Sequence, residues 1–292
     1  MIDDPGHVPV LLAEALDALA IRPDGVYVDA TFGAGGHSRA IAAGLDARGR
    51  LLALDRDPAA PAFGADAPRS ELVHANFADL EAVLDARGIE DVDGVLFDFG
   101  VSSMQLDRPE RGFSFRDDGP LDMRMDPSDG PTARDLLETL DERELADLIF
   151  RFGEERAARR IARAIVRVRD AGRLPARAGE LAALVAGVVH VRGSRERIHP
   201  ATRTFQALRI AVNGELDAIA SGLQAAASRL RPGGRLVAIS FHSLEDRIVK
   251  HAFRDDPRLH AIVKRPLVAS EEERLRNVRA RSAKLRVAER LG

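Results

Sequence analysis

Three glycines in the stretch DATFGAGGHS, residues 29–38, are spaced as a turn able to hold a nucleotide. Gly33, Gly35 and Gly36 follow a β-rich run and precede a helical one. In a strand–turn–helix unit such glycines let the backbone approach a ligand closely, and the helix N-terminus offers free N–H groups. Asp55 closes the next β-rich run, LALDRD, where a carboxylate about twenty residues on grips ribose hydroxyls. Strand–helix turns also carry glycine for steric reasons alone. Glycines, strand context and ribose acid together point to an adenosine-containing ligand. The G-x-G-G spacing departs from the G-x-G-x-x-G of dinucleotide sites, and Asp29 just before the turn suits a sulfonium or amino-acid group better than a pyrophosphate. S-adenosylmethionine is therefore favoured over NAD, with an NAD-dependent oxidoreductase as the competing reading.

The 292 residues exceed one typical core, so one large domain with an insertion, or two domains, is expected. There is no cysteine, which removes disulfides, thiolate metal sites and every mechanism that needs a thiolate nucleophile. Methylation of a pyrimidine ring carbon normally uses such a nucleophile, so an exocyclic amine or a hydroxyl is the better acceptor. The few histidines form no spaced cluster, and no catalytic metal is expected. No apolar run approaches membrane-spanning length and the N-terminus lacks a signal pattern, so a cytoplasmic protein without a membrane partner is expected. The net charge of -3 argues against a uniformly basic surface. Arginines nonetheless crowd residues 151–173, 192–209 and 274–286. One such cluster is as readily a solvated helix face; three point to a phosphate-bearing partner.

The elements that must position these residues alternate from residue 25. GVYVDATF, RLLALDRD, ELVHANF and VDGVLFDFG read as strands, the last ending near Gly100, with helical stretches between them. This is the α/β class, a doubly wound parallel sheet. Residues 98–126 then keep neither period 2 nor period 3.6, yet Phe113, Phe115, Leu121, Met123 and Met125 supply apolar groups to bury, so an ordered loop is expected. Phe113 and Phe115 either anchor it or stack on a base. Helical patterns follow over 131–190, and one long helix is expected from Pro200 to Leu230, stopped by RPGG. GRLVAISF resumes the sheet, which places a discontinuous sheet domain at 1–105 and 214–292 and an inserted all-helical domain at 106–213. LHAIVKR and AKLRVAER are expected to close the sheet as an antiparallel pair.

The sequence resembles the bacterial 16S rRNA (cytosine-N4)-methyltransferases of the MraW/RsmH family. The carriers are HVPVLLAEAL (7–16), DATFGAGGHS, LDRDP (54–58), DFGVSSMQLD and RGFSFRDDGPLDMRMD within 98–126, GEERAARRIARAI (153–165), HPATRTFQALRIAVNGEL (199–216), SFHSLEDRIVK (240–250) and RARSAKLRVAE (279–289). The resemblance implies a class I (Rossmann-like) fold and methyl transfer from S-adenosylmethionine to a cytidine N4 of small-subunit rRNA near the decoding centre. It implies donor contacts at Gly35, Gly36, His37, Asp55, Phe77, Asp98 and Gln105. Beside it, Phe77 reads equally as a core aromatic, and His37 as a cap or core contact. Cytosine N4 shares its lone pair with the ring, so attack needs acceptors for its protons. Asp98, Ser102 and Ser103 are the candidate set, standing where other amino-methyltransferases carry an Asp/Asn/Ser-Pro-Pro-aromatic motif. Arg159, Arg160, Arg163, Arg203 and His242 are the candidate RNA contacts, with 16S rRNA or the small ribosomal subunit as partner and a homodimer compatible with all of this. SFHSLEDR, which carries His242, Glu245 and Asp246, reads either as cleft lining or as a helix cap. An adenosine-sensing RNA-binding assembly factor without turnover is the non-enzymatic alternative.

Overall fold

A computed structural model describes residues 9–60, 69–189 and 199–292 and divides the chain into two compact units, residues 1–102 with 216–292 and residues 103–215. The first unit holds a seven-stranded sheet: β1 (Val26–Asp29), β2 (Arg50–Asp55), β3 (Ser70–His74), β4 (Val92–Asp98), β5 (Leu230–Ser240), β6 (Leu259–Ala261) and β7 (Lys284–Arg290). Their order is β3-β2-β1-β4-β5-β7-β6. The first five run parallel and β7 pairs antiparallel with both β5 and β6, as the alternation and the C-terminal patterns predict. RPGG does not precede β5 but lies inside it, where the pairing shifts register between Val92↔Leu230 and Gly94↔Arg235.

The period-2 alternation of the strands explains the two cores. Val28, Leu52, Leu54, Val95 and Phe97 point to one face, where α3 (Leu80–Asp85), α10 (Glu215–Arg229) and α11 (Ser243–Asp255) bring Leu84, Leu223 and Phe253. Tyr27, Leu51, Leu96 and Ile239 point to the other, against Ala15 and Leu19 of α1 (Leu12–Leu19) and Ile41 of α2 (Gly36–Ala43).

The second unit contains α4 (Ser103–Leu106), α5 (Ala133–Thr139), α6 (Glu142–Gly153), α7 (Ala158–Asp170), α8 (Ala178–Val188) and α9 (Thr202–Asn213). The helical run that opens at 131 is divided, and the one long helix expected from Pro200 is broken. Asp141 caps α6 with a capping box to Glu144, which ends α5 at Leu140 in extended backbone. Gly214, at φ 57°, ends α9 and separates it from α10. Residues 98–126 also hold more regular structure than expected: α4 and a 3-10 turn at Pro109–Arg111.

This loop is ordered by polar as well as apolar contacts. Buried Asn213 accepts from Met125 N at 2.7 Å and donates to Met123 O at 2.7 Å, while Arg111 donates to Arg124 O and Met125 O. Phe113, Leu121, Met123 and Met125 are buried. Asn213→Ala leaves a buried N–H and a buried C=O without partners, at about 1–3 kcal/mol each. A fall in the denaturation midpoint worth at least ~2 kcal/mol is expected; an unchanged midpoint would mean that the loop is held by its apolar groups alone.

Candidate active site

Parallel strands leave a crevice at their C-terminal ends where the strand order reverses, here between β1 and β4. The residues around that point are Asp29, the 33–36 turn, Asp55 and Asp98. Gly33 and Gly35 have φ of 53° and 74°, a region that disfavours side chains. A Cβ on Gly35 would lie 2.7 Å from the Phe32 ring, and one on Gly36 would lie 2.3 Å from Pro9. Packing within the protein therefore demands these glycines, in addition to any close ligand approach. Gly35 is the N-cap of α2 and supplies no side-chain cap, so no cap residue shields the first N–H groups of that helix.

Asp55 does more than end β2. Its Oδ2 accepts from Gly33 N at 2.7 Å and its Oδ1 from Asp57 N at 2.8 Å, so the carboxylate ties the glycine turn to the loop after β2. Burial raises its pKa to about 6 against the pull of these two N–H groups. Asp29 is fully buried and occupied internally, accepting from Ser38 Oγ at 2.6 Å and Thr31 N at 3.1 Å. Its expected role toward a ligand cation gives way to one that holds α2 against β1.

Asp98 ends β4. Burial raises its pKa to about 6, opposed by His37 and reinforced by Asp29 and Glu245. Its Oδ1 is buried without a hydrogen-bond partner among the described residues. His37 is 5% exposed; its Nε2 lies 3.2 Å from Val10 O and its Nδ1 3.6 Å from Asp98 Oδ2. Because Val10 O can only accept, Nε2 carries the proton that reaches it, and Nδ1 is the ring atom turned toward Asp98. His37 is thus a core contact rather than an exposed group.

Phe77 lies in a 3-10 turn at Phe77–Asp79, beyond β3 rather than at its end. Its ring packs edge-on to Phe97 at 5.6 Å and tilted to Phe99 at 5.8 Å, and it remains partly exposed. Core packing and a free edge coexist there. Ser102 follows β4 in the first unit, half-buried; Ser103 and Gln105 are buried on α4 in the second. His242 is the N-cap of α11, accepting from Glu245 N, and Glu245 Oε2 accepts from Phe241 N at 2.7 Å. Asp246 binds Lys284 and Arg286 of β7. SFHSLEDR is thus built as a cap, one of the two readings its sequence allowed.

Among the expected RNA contacts, Arg160 donates to Val188 O and Arg163 pairs with Glu142 at 3.3 Å. Arg159 is exposed on α7, and Arg203 is half-exposed on α9. Arg192, Arg195 and Arg197 lie outside the described residues. No helix among the described residues is long and apolar enough to cross a membrane.

This strand order, with the glycine turn after β1 and carboxylates at the ends of β2 and β4, defines a class I (Rossmann-like) S-adenosylmethionine-dependent methyltransferase fold. The chain belongs to the MraW methylase family, which matches residues 4–291. It is 53% identical to ribosomal RNA small subunit methyltransferase H of Thiobacillus denitrificans, over 99% of this chain and 98% of that one. It is 52% identical to ribosomal RNA small subunit methyltransferase H of Methylibium petroleiphilum, over 97% and 95% of the two chains.

Proposed function

We propose that this chain works in the cytoplasm and transfers a methyl group from S-adenosylmethionine to the exocyclic N4 amine of a cytidine in small-subunit ribosomal RNA. By the family resemblance the cytidine is near the decoding centre. The observation that carries the chemistry is the orphaned Asp98 Oδ1, a buried acceptor beside the glycine turn that needs a donor from outside the protein. When bound, S-adenosylmethionine supplies a methyl group already activated by its sulfonium, so the residues have two tasks, positioning and proton removal.

The uncapped N–H groups at the start of α2 fit the carboxylate of the methionine portion. Asp55 keeps lone pairs for the ribose hydroxyls after binding Gly33 N and Asp57 N. The free edge of Phe77 serves the adenine. Asp98 takes a proton from the amine, and a base with a raised pKa suits that task better than an ordinary carboxylate. Ser102 and the backbone carbonyls after β4 accept a hydrogen bond from the second amine hydrogen, which stays on the methylated nitrogen. Ser103 joins that acceptor set from its place in the GVSS turn, and Gln105 contacts the donor on the family resemblance. The second unit grips the RNA.

Incubation with methyl-labelled S-adenosylmethionine and either naked rRNA or assembled small subunits, followed by mapping of the label, tests the reading. Label on a cytidine N4 is expected. Label elsewhere would move the acceptor, and donor and RNA binding without label would favour an assembly factor. The RNA interface is testable separately. Reversing Arg159, Arg160 and Arg163 together weakens RNA binding and leaves donor affinity unchanged. It also lowers the salt slope by ~0.7 for each phosphate of single-stranded RNA that is no longer neutralised. Because Arg160 and Arg163 already have partners in the protein, Arg159→Glu alone should account for most of the change. An unaltered slope would return α7 to a solvated face.

A further inference from the structure

The second unit carries an aromatic pair that the chemistry above does not use. Phe115 and His199 lie with ring centroids 4.7 Å apart and planes at 36°, and buried Phe205 of α9 meets Phe115 edge-on at 5.0 Å. Phe113, two residues earlier, behaves differently: it is buried, with the Arg111 guanidinium 5.9 Å from its ring. Phe113 is therefore the anchor of the loop. Phe115 is half-buried and leads outward to an exposed imidazole.

That imidazole is held in two ways. Phe115 backs its ring, and its Nδ1 accepts from Ala201 N at 3.2 Å. Accepting at Nδ1 puts the neutral ring's proton on Nε2, a donor left for a ligand. Bracing the turn that leads into α9 would need only the Nδ1 contact. An exposed ring held by an aromatic partner is a preformed π-surface, and it costs little entropy to use. Arg116 follows Phe115 and is exposed, Arg203 stands four residues after His199 and is half-exposed, and neither has an ionic partner among the described residues. A flat ring with a donor at its rim, carried by chain segments that also bear Arg116 and Arg203, matches the needs of an unpaired nucleotide, whose base stacks and whose phosphate pairs. An acidic protein segment would use the arginines and leave the ring idle.

We propose that His199, backed by Phe115, is a stacking platform for an unpaired nucleotide of the RNA substrate, with Arg203 and Arg116 on its phosphates. The proposal rests on the rRNA methyltransferase reading for the identity of the RNA. It is tested by measuring the affinity of the full chain for naked small-subunit rRNA over a series of salt concentrations. His199→Ala should weaken binding about tenfold to a hundredfold, the scale of one base stack removed, without changing the salt slope, since stacking releases no counterions. Arg203→Gln should lower the slope by ~0.7. His199→Phe should restore most of the affinity and His199→Gln should not. Because His199 is exposed, these variants should melt with the parent.

Parental affinity in His199→Ala overturns the platform, and so does a changed slope that His199→Phe fails to rescue. A defect seen only with assembled subunits, with naked rRNA bound normally, also overturns it in favour of a protein contact. Methyl transfer by the parent protein is measured alongside. Its absence with the stacking effect intact would sink the methyltransferase reading alone, and its presence with a silent His199→Ala would sink the platform alone.

Discussion

Asp98→Asn lowers the rate of a single turnover, at saturating donor and RNA, by about a hundredfold or more. Asparagine keeps the size and one carbonyl acceptor but cannot take a proton, and the absence of general-base assistance has this scale. Saturation separates the step from donor binding, which also weakens because the donor lies against Asp98 in this reading. The pH profile of the parent supplies a second measurement. The ionised carboxylate is the working form, so kcat/KM, which reports the free protein, rises with pH through about 6 and then levels. Asp55, also near 6, sharpens that rise. Under saturation the midpoint falls, because the bound sulfonium favours the carboxylate. A parental single-turnover rate in Asp98→Asn would make Asp98 a donor contact only, and the proton acceptor would then be sought at Ser102, Ser103 or the backbone.

The same substitution should stabilise the ligand-free protein. A carboxyl whose pKa is raised in the fold is destabilised by ionisation, so its contribution falls as the pH climbs from ~4 to about 6 and stays low above that. Ionised Asp98 thus costs on the order of 3 kcal/mol at neutral pH, at ~1.4 kcal/mol per pH unit. Asp98→Asn should melt higher than the parent at pH 7 and near it at pH 4. Loss of activity together with gain of stability is the mark of a residue kept for chemistry. Lower stability at pH 7 would mean instead that the carboxylate serves the fold.

Asp55→Ala weakens donor binding by about 1.5–3 kcal/mol, or roughly ten- to a hundredfold in Kd, the range for losing a hydrogen bond to a charged group. The structure adds a second cause beyond the ribose. Without the carboxylate, Gly33 N and Asp57 N lose their acceptor and the glycine turn is no longer tied to β2. Asp55→Asn separates the two, since its one remaining oxygen can hold only one side of that tie. It should fall between the parent and Asp55→Ala in calorimetric affinity. Donor affinity unchanged in both variants would remove Asp55 from the site.

The sequence alone determined what is local in the chain. A glycine turn between a β-rich and a helical run, an acid at the next strand end and the C-terminal antiparallel pair are short-range patterns, and they stand at Gly33–Gly36, Asp55 and β6–β7. Two further features were legible in principle: the Asp141 to Glu144 capping box that divides α5 from α6, and Gly214 between α9 and α10. Hydrophobic periodicity ran through both breaks, because a helical stripe keeps phase across one turn. Only the tertiary structure decided which polar groups face inward. Asp29 reads as a ligand contact and His242 as an RNA contact by position; in the fold the first accepts from Ser38 and Thr31 and the second caps α11 through Nδ1. Arg160 and Arg163 have partners 28 and 21 residues away. A hydrogen bond spanning such a separation exists only once packing brings the ends together, and no pattern in a window of sequence encodes it. For the same reason the sequence could not sort Phe113 from Phe115, two similar residues in one loop. Burial beneath Arg111 makes the first an anchor, and His199, distant in the chain, holds the second at the surface.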